Sequence, residues 1–272
     1  MPSGRSEFTR VLRREVSRRH VDPSSRVLVL GGSDGDVASL RAVGLTDITL
    51  SNIEGGIEDE DRELGVKVVA ADAEDLDLPD DSYDVVFVHA VLHHCRSPHK
   101  ALCEMMRVAK QHVVFLEPND SAGTRTLTRL KLSYPYEITA VVANDYQLGG
   151  VRNTVVPNFI YRWNKNEVAK TAATFLAEYE IAIEAHPYWD FEVDEEELMR
   201  RTKTRIPALV GRLGPRRMLR ILAGIQAFLN RIRPLRVQGN KFFCWIEKTP
   251  RLKPWLTRSA DGSIEFNREY QA

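Results

Sequence analysis

The chain has 272 residues, 43% of them hydrophobic, enough to bury a substantial core as one large domain or two small ones. Its 38 Lys and Arg balance its 38 Asp and Glu, so net charge singles out no partner. Its three scattered cysteines, with no CxxC pair, exclude a disulfide framework or zinc knuckle and fit a reducing cytoplasm. No run of about 18 apolar residues offers a transmembrane helix, and the basic N-terminus lacks the apolar stretch of a secretory signal.

The first half alternates short β-like runs with helical segments, as a parallel sheet requires. Val27 to Leu30 is an apolar run stopping at Gly31-Gly32, and Val37 to Val43 reads as a helix closed by Gly44. Asp47 to Ser51 and Val66 to Ala70 are a second and third strand. Tyr83 to His89 is a fourth, with a continuous apolar centre suited to burial on both faces. Lys100 to Lys110 repeats apolar residues at helical spacing, and His112 to Leu116 is a fifth strand.

Beyond Asn119 the alternation breaks down. Residues 121–163 read as a cap or lid insertion, helical and then loop-like. Asn164 and Glu167 form a capping box before Val168 to Leu176. Tyr179 to Ala185 predicts a sixth strand and Lys241 to Glu247 a seventh. Between them, residues 190–240 make an insertion far longer than an ordinary connection. The tail after Pro254 is polar and reads as partly irregular. The whole is expected to be one domain: residues 1–120 an N-terminal helix and half of the core, 164–189 a core helix and strand, and 241–272 the last strand and tail.

Two stretches carry chemistry. In V-L-V-L-G-G-S-D-G-D, residues 27–36, a strand runs into a glycine turn and then a helix, so backbone can approach a ligand that helix N–H groups face. The second is A-D-A-E-D-L-D-L-P-D-D-S-Y-D-V-V-F-V-H-A-V-L-H-H, residues 71–94. With A-L-C-E-M-M-R-V-A-K (101–110) and H-V-V-F-L-E-P-N (112–119), it resembles the small-molecule branch of the class I, Rossmann-like S-adenosylmethionine-dependent methyltransferases, in order and spacing over roughly residues 24–120.

The resemblance implies a seven-stranded, mostly parallel α/β sheet flanked by helices, with S-adenosyl-L-methionine as cofactor. Asp72 would then accept from the adenine amine and the Ala73 N–H donate to the ring, matching adenine's donor and acceptor edge. Gly31, Gly32 and Gly35 would lie beside the cofactor. The chain departs from the family pattern at Val29, where an acid is usual, at Ser33 in place of a glycine, and at Asn52, where the ribose-gripping acid is expected. Glu54, two residues on, is the alternative ribose ligand.

His89, His93, His94 and His99 cluster at the fourth strand's end, where open α/β sheets bind ligands. His89 or His93 could take a proton from an acceptor hydroxyl, and His89 also borders the cofactor; His94 reads as structural. The L-H-H-C turn holds no acid at ligand spacing, so no metal site is expected. Tyr146, Tyr161, Arg162 and Trp163 in the cap are candidates for the acceptor.

From Arg200 to Lys241 the chain has twelve basic residues and no acid, beside an apolar stripe at helical spacing. Two readings stay open: a helix packed on the domain, or a cap against an anionic acceptor or a membrane surface touched peripherally. Nothing resembles a nucleic-acid motif. The function expected is methyl transfer, O-methylation favoured, to a small-molecule, glycan or lipid-linked acceptor. The alternatives are a catalytically silent S-adenosylmethionine-binding protein and a nicotinamide-dependent oxidoreductase on a related fold.

Overall fold

In a computed structural model of the chain, residues 4–53, 65–191 and 214–271 are described, with side chains from residue 7 onward. Helix α1 (Gly4–Arg19) precedes β1 (Val27–Leu30), α2 (Asp34–Arg41), β2 (Ile48–Asn52), β3 (Lys67–Ala70) and β4 (Tyr83–His89). Helix α3 (Pro98–Val108) leads to β5 (Ala109–Pro118), followed by α4 (Ala122–Arg129), α5 (Ile138–Ala143) and α6 (Lys165–Phe175). Strand β6 (Tyr179–Tyr188), α7 (Pro215–Arg231), α8 (Arg233–Arg236) and β7 (Lys241–Leu252) complete the main body.

Seven strands form one sheet in the order β3-β2-β1-β4-β5-β7-β6. The first five run parallel and β7 pairs antiparallel with both β5 and β6. This is the α/β architecture the sequence predicts, and its side-chain alternation explains why it is stable. Successive residues of a strand point to opposite faces. Leu28, Leu30, Val86, Val88, Val113 and Phe115 therefore join one buried cluster beneath α3 and α6. Val27, Val29, Val85, Phe87, Val114 and Leu116 join another beneath α1 and α2. A strand buried on both faces needs the unbroken apolar runs seen at Val27–Leu30 and Val85–Val88.

Several boundaries differ from those the sequence predicts, each for a local reason. Helix α3 starts at Pro98 rather than Lys100, because the Ser97 hydroxyl accepts from the Lys100 N–H and proline suits the first turn. Strand β7 runs on to Leu252, since β6 and the Leu252–Tyr179 pairing extend the ladder. The tail is not irregular throughout: Leu256–Arg258 and Ile264–Phe266 form a hairpin, β8 and β9, turning at Gly262 with φ of 88°. Cys244 is buried and Cys95 and Cys103 are half-buried, with burial pushing the Cys95 thiol up to about 12.

Candidate functional site

The order of the parallel strands reverses between β1 and β4, and the C-terminal ends of these strands and their neighbours form one edge. That crevice is where open α/β sheets accept ligands. At the end of β1, Gly31 has φ of 58°, and a Cβ there would lie 2.8 Å from Val91 Cγ2. The turn is thus pressed against the segment after β4, a contact only glycine permits. Gly32 is equally confined, with 2.3 Å from a built Cβ to Val29 Cγ1. Gly35 is buried in the first turn of α2.

Ser33 and Asp36 close this turn. Asp36 Oδ2 accepts from the Ser33 N–H and hydroxyl, both at 2.9 Å, and its other oxygen faces His89 Nδ1 at 2.7 Å. Burial favours the neutral acid, but His89 and Ser33 outweigh it and hold the Asp36 carboxyl below the usual range. His89 ends β4 and stacks on Phe8 of α1 at 5.1 Å between ring centroids. Ser33, where the resemblance leads one to expect a glycine, therefore orients an aspartate that sequence reasoning did not single out.

Asn52 ends β2 on the exposed edge, opposite Ala70 of β3. Two residues further, Asp72 opens a tight turn: its Oδ1 accepts from the Glu74 N–H at 2.9 Å and its Oδ2 pairs with Arg152 Nη2 at 2.6 Å. Ala73 is half-buried in that turn against the core. Glu54 lies outside the described residues. Arg152 comes from the cap, where it adopts φ of 49°, and also approaches Glu74 at 3.4 Å. Nothing in its local sequence marks it as a partner of Asp72.

A buried polar cluster forms where β5 ends beside the turn after β4. Glu117 is fully buried: Oε1 accepts from the Val91 and Leu92 N–H groups at 2.8 and 2.7 Å, and Oε2 meets His93 Nδ1 at 2.6 Å. His93 Nε2 faces Glu137 Oε2 at 3.2 Å, and His94 Nε2 lies 3.4 Å from the same oxygen. The acid that the L-H-H-C turn lacks is thus supplied by Glu137, 44 residues along from His93. Burial opposes a charge on His93, yet Glu117 and then Glu137 override it and push the imidazole up to about 9. The His93 hydrogen bond is the main reason the Glu137 carboxyl falls to about 2.

The four cap candidates do not converge. Tyr146 is 68% exposed, whereas Trp163 is fully buried against Phe115, His99 and Tyr161. The Tyr161 hydroxyl lies 2.9 Å from His99 Nε2 and also bonds Glu167. Tyr161 and Arg162 line a cleft of about 730 Å³ with Asp120, Arg125, Asn164 and Lys170. None of Gly31, Asp72, His89 and His93 lines that cleft. Its walls come from α4, α6 and the chain between them, so it is not the strand-edge crevice.

Residues 34–116 match the family described as a methyltransferase domain. The chain is 39% identical over 100 residues to a ubiquinone/menaquinone biosynthesis C-methyltransferase of Vibrio campbellii, covering 32% of this chain and 38% of that protein. To the protein of the same name from Stenotrophomonas maltophilia it is 34% identical over 106 residues, or 35% and 42% of the two chains. The chain thus spans well under half the length of the curated relatives it matches. A solved structure from Thermotoga maritima, described as a methyltransferase dependent on S-adenosylmethionine and a possible histamine N-methyltransferase, covers 89% of this chain and 95% of its own. The two are 12% identical, with a TM-score of 0.46.

Proposed function

We propose that this protein is an S-adenosylmethionine-dependent methyltransferase acting on a small-molecule acceptor. The observation that carries the reading is the row of strand ends β3-β2-β1-β4, of which β2, β3 and β4 lie inside the segment that matches the methyltransferase-domain family and β1 just before it. In that row the glycine turn, Asn52, Asp72 and His89 stand side by side. The donor set suits the cofactor. Gly31, Gly32 and Gly35 would lie beside it, Asn52 or Glu54 would hold its ribose hydroxyls, and Asp72 with the Ala73 N–H would read adenine.

The bound cofactor would supply a methyl group on a sulfonium, already electrophilic. The protein would then chiefly have to align the acceptor and exclude water. An oxygen acceptor also needs a base. Both ring nitrogens of His93 are engaged by carboxylates, which leaves His89: its Nδ1 faces Asp36, and its Nε2 would take the acceptor's proton. Carbon acceptors need no such base where they are already nucleophilic, and the curated relatives are named for C-methylation. Calorimetry with S-adenosylmethionine, its demethylated product and NAD tests the reading. The first two should bind and NAD should not; binding of NAD alone, or of none, would overturn it.

A lipid-linked or glycan acceptor is supported by helix α7. Ile221, Ile225 and Phe228 lie along one stripe of it and are 42, 44 and 59% exposed, next to Arg217 and Arg220. Much of the basic run, residues 200–213, lies outside the described residues. Among the described residues no helix is long and apolar enough to cross a membrane, so any such contact would be peripheral. Co-sedimentation with anionic vesicles at low salt, lost at high salt, is the expected outcome. A protein that stays in solution with those vesicles at low salt would restrict the acceptor to soluble molecules.

A further inference from the structure

We propose that His93 Nε2, His94 Nε2 and Glu137 Oε2 bind one divalent transition-metal ion of the zinc class, with a fourth position open to an oxygen donor. The three atoms lie within 4.8 Å of one another, and the two nitrogen–oxygen separations are 3.2 and 3.4 Å. Zinc bonds of about 2.0–2.2 Å in tetrahedral geometry place neighbouring ligands about 3.3 Å apart. The separations are therefore those of a site closing on an ion, with little movement needed.

The rings are also oriented as metal ligands are. A ligating imidazole ordinarily donates its other N–H to a carboxylate or a backbone carbonyl, which fixes ring and tautomer. His93 Nδ1 meets the buried Glu117 carboxylate at 2.6 Å, and His94 Nδ1 meets the Gly150 carbonyl at 3.3 Å. Asn158, fully buried, holds Glu137 from two sides: its Nδ2 donates to Oε2 at 3.2 Å and its carbonyl accepts from the Glu137 N–H at 3.0 Å. His94 and Glu137 keep 25 and 30% of their side chains exposed, which leaves an entry path.

Charge points the same way. Glu117 and Glu137 bring two negative charges to the two imidazoles, and among the described residues no lysine or arginine ion-pairs with either carboxylate. A divalent cation would balance both, taking the place of the proton that otherwise holds His93 charged between them. A second cluster, Glu15, Glu184 and His186, has similar spacing but no such deficit: Arg14, Arg18 and Arg19 already pair with its carboxylates. The fourth position would be taken by water or, on the methyltransferase reading, by the acceptor's oxygen, which an ion there would acidify.

The test is metal binding itself. The full chain is stripped with a chelator and dialysed against Zn²⁺. Its metal content is measured by emission spectroscopy and its affinity by competition with a chromophoric chelator. One equivalent should bind, and Co²⁺ in its place should show the d–d absorption of a tetrahedral site. Glu117→Gln should weaken binding by about 10–100-fold, and His94→Gln and Glu137→Gln by more. Glu184→Gln, in the second cluster, should leave it unchanged. Circular dichroism confirms folding, and if Glu117→Gln does not fold the two half-exposed variants decide. Binding below one equivalent, or affinity unchanged in both His94→Gln and Glu137→Gln, overturns the proposal. Calorimetry with S-adenosylmethionine on the same samples separates the two readings, since either ligand can bind without the other.

Discussion

Replacing Asp72 by Ala removes the carboxylate proposed to accept from the adenine amine, and the structure sets the size of the loss. A hydrogen bond to a charged group contributes about 1.5–3 kcal/mol. That gain is not free here, because Asp72 Oδ2 already meets Arg152 at 2.6 Å and adenine must displace the guanidinium. The pair is partly exposed, at 35 and 23% of the two side chains, and such pairs contribute about 0–1 kcal/mol. The difference leaves a net loss of about 0.5–3 kcal/mol, so Asp72→Ala should weaken S-adenosylmethionine by about two- to 150-fold in calorimetry. Arg152→Gln should act in the opposite sense, tightening binding by up to about fivefold, since it removes the competitor and keeps the acceptor. An unchanged dissociation constant in Asp72→Ala would refute the assignment. A weaker constant in Arg152→Gln would show instead that the arginine closes over the bound cofactor.

The other predictions concern stability and pH. Glu117→Gln breaks a fully buried cluster in which one carboxylate serves two backbone N–H groups and His93; it should cost about 3 kcal/mol and lower Tm by roughly 6–12 °C in a calorimetric melt, and a shift under about 2 °C would contradict this. Asp36 titrates below its unfolded value, so its contribution is present above about pH 4 and lost as pH falls through the depressed folded value. Denaturant titrations between about pH 5 and pH 2 should therefore show the stability gap between the native protein and Asp36→Asn narrowing on acidification; a constant gap would exclude it. Gly31→Ala forces a side chain into left-handed backbone and against Val91 and should cost at least about 1–2 kcal/mol in the same titrations.

The sequence reveals the sheet far better than the site, and the reason is range. Strand β4 is read at its observed bounds, Tyr83–His89, because its signal is a contiguous apolar run. Helix α6 is also legible, since Asn164 caps it at the Glu167 N–H at 3.1 Å, although the Glu167 side chain bonds the Tyr161 hydroxyl instead of closing the predicted box. The Asp261-Gly262 turn between β8 and β9 carries its own local signal, though the polarity of the tail hides it. Glu117, Glu137 and Arg152 leave no comparable trace. Each works across tens of residues, on backbone or side chains that only the fold brings near. Spacing within the L-H-H-C turn could exclude ligands from that turn but not from elsewhere in the chain.

Those long-range contacts also explain how the cap is held. Its apolar residues Tyr136, Ile138 and Val142 are exposed, so apolar burial holds it mainly at Val141 and at Trp163, which packs on Phe115. At the strand edge the attachments are polar: Glu137 on His93 and His94, the Gly150 carbonyl on His94, and Arg152 on Asp72 and Glu74. Glu74 in turn accepts from the Arg96 and Ser97 N–H groups at the start of α3. The cap is thus fastened to the strand edge through the same side chains proposed to read adenine and to hold a metal. Anything that occupies either place must compete with, or replace, a contact that positions the cap. Ligand binding and cap position are then linked by differential contacts, which is the physical requirement for one to shift the other.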